Sequence, residues 1–316
     1  MSRSDDLRLG ALLSPMDINV EKDSSSTIVH HVAILGYPCD VGVARNGGVV
    51  GAKEGPTAVK RMLQKVGPLI NPEFSIDIRG IDFRDAGDVQ LGKSLEETHK
   101  NLVIKVKELL QKGYLPIIVG GGNDQSFSNA CALIETMNTG GIGVVNIDAH
   151  LDARPLIDGK PHSGSPFRQL LEHKDFVSDN GMFHEFAVQG NQCSNEHVEY
   201  VKSKRGHLTW LSQLRKPGNT ATEEFTKVLE SFTSKPSFVS FDIDSITSAD
   251  CPGVSCPAVI GLSAQEALDI CMLSGKHRGT KILDLSEFNP DVEEKRTSRL
   301  VATMIYYFLM GVASRI

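Results

Sequence analysis

Short apolar segments alternate with helical stretches along most of the chain, and this alternation restricts the fold more than any other feature. The apolar segments are rich in β-branched residues and end in glycine or acidic residues, as buried strands do. Near-continuous apolar strands separated by helices indicate a parallel sheet covered on both faces. The predicted strands are 32–37, 115–120, 141–148, 185–190, 237–244 and 280–288, and the clearest predicted helices are 56–64, 95–111, 126–136, 195–204, 221–231, 263–273 and 293–313.

The predicted domain organisation depends on whether a linker or a repeat interrupts the alternation of strands and helices. The sequence of 316 residues contains no Pro/Ser-rich linker and no internal repeat in its body. We therefore expect a polar N-terminal arm over residues 1–27 and a single domain over residues 28–316. The longest apolar run, 300–313, is shorter than the ~20 residues that span a bilayer, so it predicts a buried helix.

Charge and cysteine usage narrow the classes of function and location. The formal net charge is −6, which argues against a nucleic-acid or anionic-membrane partner. The six cysteines form no C-x-x-C pair, and residues 1–15 lack the apolar stretch of a signal peptide. These features predict a cytoplasmic protein. The last three residues, 314–316, are a distant variant of the S-K-L peroxisomal address, although an ordinary frayed end is the favoured interpretation.

The strongest chemical signal follows the predicted strand 141–148. Asp148, His150 and Asp152 are spaced two residues apart, so an extended segment would place all three on one side. Two carboxylates and an imidazole suit a divalent cation such as Mn²⁺. The alternative is a polar loop whose acids cap the next helix, but this spacing has little structural use.

A second pair of carboxylates, Asp242 and Asp244, closes another apolar strand. Two carboxylates side by side repel each other unless cations or protons intervene. A capped turn is the alternative interpretation. Together the two motifs offer more ligands than one ion needs, whereas two ions that share carboxylates would use all of them and could activate water.

Two weaker signals also lie at strand ends. In the glycine-rich segment 119–126, the glycines allow close backbone approach and Ser126 is a predicted helix cap. Phosphate binding is the weaker alternative, because no G-K-[ST] follows.

Glu287 ends the last predicted strand, where it could face a cationic group of a substrate. A solvated residue at the end of the strand is the alternative.

These motifs, taken together and in this order, resemble those of the ureohydrolase family, which includes arginase, agmatinase and formiminoglutamase. The resemblance runs from about residue 32 to the C-terminus. It rests on Gly121-Gly122, on DAHLD at 148–152, on SFDID at 240–244 and on EFNP at 287–290. The formiminoglutamase branch is the most similar, by the segments 45–48, 51–56, 152–155 and 163–168.

The resemblance implies a three-layer α/β/α domain around a mainly parallel sheet of eight strands, with two Mn²⁺ ions at the strand ends. It also implies a homo-oligomer, a trimer or a hexamer. By position, one ion would take Asp148, Asp152, Asp242 and a residue of the glycine-rich loop, and the other would take His150, Asp148, Asp242 and Asp244.

The chain departs from the family pattern at two places. The glycine-rich loop lacks the family's histidine ligand, and alignment puts either Asn123, which we favour, or Asp124 there. The family's mobile catalytic histidine is replaced by Ser163. His162 could substitute for it, although a surface histidine is the alternative. Asp152 is our candidate for proton transfer to the leaving group.

The resemblance implies hydrolysis of N-formimino-L-glutamate to glutamate and formamide, a step of histidine degradation. Glu287 would hold the amidinium group by charge-assisted hydrogen bonds. Arg154, Arg168 and Arg45 are candidates for the substrate carboxylates, each with a structural salt bridge as the alternative, and Ser163 is a further candidate for substrate binding.

The sequence leaves three further hypotheses open. Within the same family, the substrate could be a guanidino compound such as arginine or agmatine, with urea as product. In a different class, the chain could be a metal-poor binding or regulatory relative. Finally, Cys39 and Cys251 could rim one cleft and pair on oxidation, although two separate buried thiols are the favoured interpretation.

Overall fold

A central sheet with helices on both faces makes up the part of the chain that the computed structural model describes, residues 7–16, 30–137 and 141–315. The strands are β1 (Ser14–Pro15), β2 (His30–Tyr37), β3 (Ile70–Asn71), β4 (Ile76–Asp77), β5 (Ile81–Asp88), β6 (Leu115–Gly120), β7 (Gly143–Ile147), β8 (Met182–Val188), β9 (His207–Trp210), β10 (Ser237–Asp242) and β11 (Thr280–Ser286). The α-helices are α1 (Val41–Arg45), α2 (Gly55–Leu63), α3 (Leu95–Gln111), α4 (Gln125–Thr136), α5 (Pro166–Glu172), α6 (Lys174–Ser178), α7 (Asn195–Ser203), α8 (Leu211–Leu214), α9 (Ala221–Ser231), α10 (Ala264–Lys276) and α11 (Lys295–Ala313).

The main sheet has nine strands in the order β1-β5-β2-β6-β11-β10-β7-β8-β9. All the paired strands in it run parallel. The predicted parallel sheet is thus confirmed. The sheet has one strand more than the eight expected. The additional strand is β1, which has two residues and pairs with β5 at one edge. A separate antiparallel pair, β3 and β4, stands outside this sheet.

Two hydrophobic cores, one on each face of the sheet, give the protein three layers. Alternate residues of β2 serve opposite cores, as the period of two along a strand requires: Ile34 belongs to one core and Leu35 to the other. Helices α2, α9, α10 and α11 contribute to the first core, and α3, α4, α5 and α7 contribute to the second. The predicted three-layer α/β/α class is confirmed.

All the predicted strands and helices occur, but the pattern missed strands near the sheet edges. Half of the residues of β5 are charged, and only Ile81, Asp82 and Phe83 at its start are buried. Strand β9 is a sheet edge with no fully buried residue. Such strands lack the continuous apolar run that marks a central parallel strand.

Part of the predicted N-terminal arm packs onto the domain. Leu9 is completely buried in the first core, and β1 lies within the arm. Residues 1–6 and 17–27 of the arm lie outside the described residues, so its boundary at residue 27 stays a prediction. The predicted apolar helix 300–313 lies within α11 and is mostly buried. None of the described helices is long and apolar enough to cross a membrane.

The sheet order brings the four polar motifs together. Strands β6, β11, β10 and β7 are consecutive neighbours in the sheet. The glycine-rich loop, Glu287, the Asp242–Asp244 segment and the Asp148–Asp152 segment lie at or just beyond their carboxyl ends. Ligands bind at this edge of parallel α/β sheets. The connections therefore place every predicted motif at one site.

Candidate metal centre

Two groups of side chains at this edge could each hold a metal ion. The first group is Asp148, Asp152 and Asp242, and the second is His150, Asp244 and Cys256. Within each group the ligand atoms lie within 4.8 Å of one another. Apart from Cys256, these are the side chains that the sequence assigned to two ions, with Asp148 and Asp242 shared.

Each motif reaches the site through a tight turn that its own aspartate stabilises. The backbone N–H of His150 donates to Asp148 Oδ1 at 2.8 Å, and the N–H of Asp244 donates to Asp242 Oδ1 at 3.1 Å. The segment 148–152 does not stay extended, since Asp152 has a left-handed backbone, with φ of 42°. The capped turn that is the alternative for Asp242 and Asp244 is present, and it is compatible with metal binding.

Three of the carboxylates are buried and that of Asp152 is half-buried, with little positive charge beside them. Burial raises the pKa of Asp152 and of Asp242, and neighbouring aspartates raise both further. Burial also raises the pKa of Asp244 to about 6, against the opposing effect of the His150 ring. The ring Nδ1 lies 3.2 Å from Asp148 Oδ1 and 3.4 Å from Asp244 Oδ2. One imidazole cannot neutralise four carboxylates.

This donor set fits hard divalent cations. Carboxylate oxygens and an imidazole are ligands that Mn²⁺ accepts. Asp244 Oδ1 is buried and has no hydrogen-bond partner among the described residues. A buried carboxylate oxygen without a partner is costly unless a cation or proton satisfies it. The cluster is accordingly built for bound cations rather than for a dry core.

Asn123, rather than Asp124, meets the carboxylate cluster. Its Nδ2 donates to Asp152 Oδ2 at 2.8 Å, and its Oδ1 accepts from Ser126 Oγ at 2.8 Å and from Ser286 Oγ at 3.0 Å. An oxygen ligand from this side chain requires the amide to turn over, which the serines permit because a hydroxyl can donate or accept.

Asp124 has a different environment. Its Oδ2 accepts from the Tyr37 hydroxyl at 2.7 Å and lies 2.8 Å from His99 Nε2. These contacts anchor the glycine-rich loop against β2 and α3. The loop needs its glycines, because a Cβ at Gly121 would collide with the backbone carbonyl oxygen of Cys39.

Ser126 is not a helix cap, contrary to the prediction. Helix α4 begins at Gln125, so Ser126 lies inside its first turn. Its hydroxyl instead contacts Asp284 Oδ2 at 2.9 Å, and Asn129 Nδ2 donates to the same oxygen at 2.8 Å. Asp284 is a buried carboxylate in β11 that ties α4 to the sheet below the metal site.

We expect Asp284→Asn to change how stability depends on pH. Burial raises the pKa of Asp284 from 3.8 to about 6. The wild-type carboxyl therefore favours the folded state at low pH, and this contribution is lost as pH rises from 3.8 to about 6. Across that range, the variant should gain about 3 kcal/mol relative to wild type. Urea unfolding of both proteins as a function of pH measures this difference, and parallel profiles would contradict it.

Glu287 stands beside the cluster. Its Oε1 accepts from the backbone N–H of Asn123 at 2.9 Å, and its backbone is left-handed, with φ of 68°. Non-glycine residues in this region are strained and concentrate at functional sites. Burial raises its pKa, and the charges of Asp244 and Asp152 raise it further while the Asn123 N–H opposes them. A cationic substrate group would stabilise the ionised carboxylate.

A cleft of about 280 Å³ opens onto the cluster. Arg154 and Ser163 line it, as predicted for substrate-binding residues, and Asn46 joins them. Asn46 Oδ1 accepts from Arg154 Nη1 at 3.2 Å, and its Nδ2 donates to Ser163 Oγ at 3.1 Å. Arg154 is the only arginine or lysine among the described residues that line the cleft.

Two of the predicted substrate-binding arginines are engaged elsewhere. Arg45 pairs with Glu96 at 2.7 Å, and Arg168 lies over the Tyr200 ring, 3.7 Å from its centroid, and donates to the Ala153 carbonyl oxygen. Neither lines the cleft. The structure therefore favours the structural alternative for both.

The predicted catalytic His162 does not line the cleft either. It is buried, and its Nε2 lies 2.9 Å from the Pro155 carbonyl oxygen, which can only accept. The backbone N–H of Gly164 donates to its Nδ1 at 3.2 Å. Both ring nitrogens are occupied, so neither the catalytic nor the surface interpretation describes this residue.

Sequence reasoning missed a buried acid behind the site. Glu185 in β8 is completely buried, and Asn146 Nδ2 donates to its Oε2 at 2.9 Å and to Asp148 Oδ2 at 3.3 Å. Asn146 thus links Glu185 to a predicted ligand. An acid inside an apolar strand segment is the signal that could have identified it, and Asp284 carries the same signal.

Cys39 and Cys251 are both buried and both free in the structure. Burial raises the pKa of the Cys39 thiol. It also raises that of Cys251. Two separate thiols were the favoured interpretation, and pairing on oxidation stays a prediction.

Comparisons with known proteins identify relatives of this chain. The arginase family matches it over residues 30–311. A formimidoylglutamase from Geobacillus kaustophilus is 31% identical over 293 residues, which cover 91% of this chain and 83% of that protein. The solved structure of Trypanosoma cruzi formiminoglutamase with two Mn²⁺ ions is 44% identical, with a TM-score of 0.88 and coverage of 99% of this chain and 100% of that one.

Proposed function

This chain belongs to the arginase family, and on that premise we propose that it is a manganese-dependent hydrolase that converts N-formimino-L-glutamate to L-glutamate and formamide. The reaction class is hydrolysis of a C–N bond in a linear amidine. The observation that carries the proposal is the convergence of two groups of metal-ligating side chains on one cleft. Similarity to proteins named formimidoylglutamase supports the choice of substrate.

Two Mn²⁺ ions would be held by the aspartates and the histidine of the cluster. Asp148, Asp152 and Asp242 would suit one ion and His150 and Asp244 the other, and the family resemblance assigns Asp148 and Asp242 to both. When bound, such an ion pair supplies an activated water as nucleophile and positive charge for the developing anion. Asn123 would join the first set through its side-chain oxygen once its amide turns over, because its Nδ2 faces Asp152 in the structure.

Recognition of the substrate falls to Glu287 and Arg154, which line the same cleft. The Glu287 carboxylate would accept charge-assisted hydrogen bonds from the amidinium group, while the Asn123 N–H holds that carboxylate in place. Arg154 carries the positive charge that a substrate carboxylate needs. Asn46 positions the Arg154 guanidinium group through its side-chain oxygen.

Proton transfer to the leaving group would use Asp152 Oδ2. Asp152 lines the cleft, and turning over of the Asn123 amide would release its Oδ2 from Asn123 Nδ2. A carboxylate oxygen at this place can take up a proton and pass it to the leaving nitrogen. We do not propose His162 for this role, because both of its ring nitrogens lie in hydrogen bonds.

A substrate panel tests the proposal. With Mn²⁺ present, the protein should release glutamate from N-formimino-L-glutamate and should release no urea from arginine or agmatine above a boiled-protein control. Urea from a guanidino compound would keep the family and overturn the substrate. No turnover of any of the three would favour the metal-poor binding protein and contradict the proposal.

The enzyme would act in the cytoplasm as a homo-oligomer, a trimer or a hexamer. All six cysteines are free in the structure, which suits a reducing compartment. Sedimentation of the purified protein would give its oligomeric state, and a monomer would contradict this part of the proposal.

A further inference from the structure

Cys256 lies in the loop between β10 and α10 and faces His150. Its Sγ is 3.7 Å from His150 Nε2, and Asp244 completes a group whose ligand atoms lie within 4.8 Å of one another. We infer that Cys256, together with His150 and Asp244 of the manganese centre proposed above, forms a binding site for a thiophilic divalent cation such as Zn²⁺.

The spacing of the nitrogen and sulfur atoms matches a tetrahedral ion. Zinc bonds are about 2.0–2.1 Å to imidazole nitrogen and about 2.3 Å to thiolate sulfur. At a tetrahedral angle, these bond lengths separate the two ligand atoms by about 3.6 Å. The observed separation of 3.7 Å between His150 Nε2 and Cys256 Sγ is close to this value. An ion could therefore bind between them with little movement of either side chain.

The third ligand, Asp244, has a carboxylate oxygen that is free to bind a cation. Asp244 is only 4% exposed, and its Oδ1 has no hydrogen-bond partner among the described residues. Cys256, in contrast, is exposed and lines the cleft. A cation can thus reach the thiol from solvent and then bind the buried carboxylate. A fourth position would stay open to water, as in zinc sites with three protein ligands.

The chemistry of the ligands decides which cation the site prefers. A thiolate and an imidazole favour Zn²⁺, whereas the all-oxygen group of Asp148, Asp152 and Asp242 favours harder ions. Zn²⁺ also binds more tightly than Mn²⁺ to nitrogen and sulfur ligands in general. Because Asp244 belongs to both sets, a cation on Cys256 would compete with Mn²⁺ for this carboxylate.

A hydrogen bond is the competing explanation for the contact. A metal-bound histidine commonly donates its other ring N–H to a neighbouring acceptor, and Cys256 Sγ could be that acceptor for Nε2. That arrangement needs no cation at the sulfur. A spectroscopic signal that arises only from a metal–thiolate bond separates the two explanations.

Cobalt titration of the metal-free, full-length protein provides that signal, because Co²⁺ bound to a thiolate gives a near-ultraviolet charge-transfer band. We expect the wild-type protein to develop the band and the Cys256→Ser variant to lose it. Cys193→Ser is the matched control, since that thiol is half-buried and lies outside both groups of metal-ligating side chains, and this variant should keep the band. Added Zn²⁺ should abolish the band in wild type.

A wild-type protein that binds Co²⁺ without the band would overturn the inference, as would a band that survives Cys256→Ser. Neither result depends on catalysis, so the inference and the proposed function can fail independently. A second measurement uses activity: Zn²⁺ should inhibit the Mn²⁺-loaded wild-type enzyme at lower concentrations than it inhibits Cys256→Ser. Equal inhibition of the two proteins would contradict competition between Mn²⁺ and a cation on Cys256.

Discussion

Replacing Asp242 by Asn should reduce glutamate release by at least about 10³-fold, well beyond the 10–100-fold typical of losing an outer contact of a metal site. Asp242 belongs to the all-aspartate group and also accepts the hydrogen bond that shapes the turn to Asp244. The variant removes a carboxylate that both ions would share. It should also bind less than the full complement of Mn²⁺, which metal analysis of the dialysed protein measures.

The fold of this variant should survive. Asn keeps the oxygen that accepts from the Asp244 N–H, and it removes a buried charge whose burial is unfavourable. The free energy of unfolding of the metal-free protein should therefore not fall. Asp179→Asn is the matched control. Asp179 is exposed and lies between α6 and the start of β8, whereas the site lies at the carboxyl ends of the strands. Wild-type activity in Asp242→Asn would contradict the assignment of this residue.

Replacing Glu287 by Gln should lower kcat/KM by about 10- to 100-fold, the range for losing hydrogen bonds to a charged group. Gln keeps an oxygen for the Asn123 N–H but no longer carries the negative charge that the amidinium group needs. Glu287 lies outside both groups of metal-ligating side chains, so Mn²⁺ content should stay at the wild-type level. Steady-state kinetics and metal analysis of the same preparation measure both quantities.

The matched control for this substitution is Glu293→Gln. Glu293 interacts with the start of α11 through Thr297 and does not line the cleft, so its replacement should leave kcat/KM unchanged. A Glu287→Gln variant with wild-type kcat/KM would show that the carboxylate does not bind the substrate. A variant that loses Mn²⁺ would instead move Glu287 into the metal centre.

The sequence predicts those site residues whose positions are determined by the ends of strands. Asp148 and Asp242 each follow an apolar strand, and parallel strands place their carboxyl ends at one edge. The preference for Asn123 over Asp124 agrees with the structure, but the reason does not lie in the motif. It lies in Tyr37 and His99, which come from β2 and α3 and hold Asp124 away from the cluster.

What the sequence could not predict depends on partners that are distant along the chain. Arg45 is near a motif in sequence, yet Glu96, 51 residues away, fixes its guanidinium group. The approach of Cys256 to His150 spans 106 residues and depends on the path of a loop. Neither contact follows from strand or helix periodicity, because both are set by how the connections fold over the sheet edge.

Two metal ions, held by these side chains, are the central requirement of the proposed hydrolysis of the formimino group. The most direct measurement is glutamate release from N-formimino-L-glutamate while Mn²⁺ is added stepwise to the metal-free protein. We predict no release without metal and a rate that saturates when two ions are bound per chain. Undiminished release by the metal-free protein, or full activity with one ion per chain, would contradict the account.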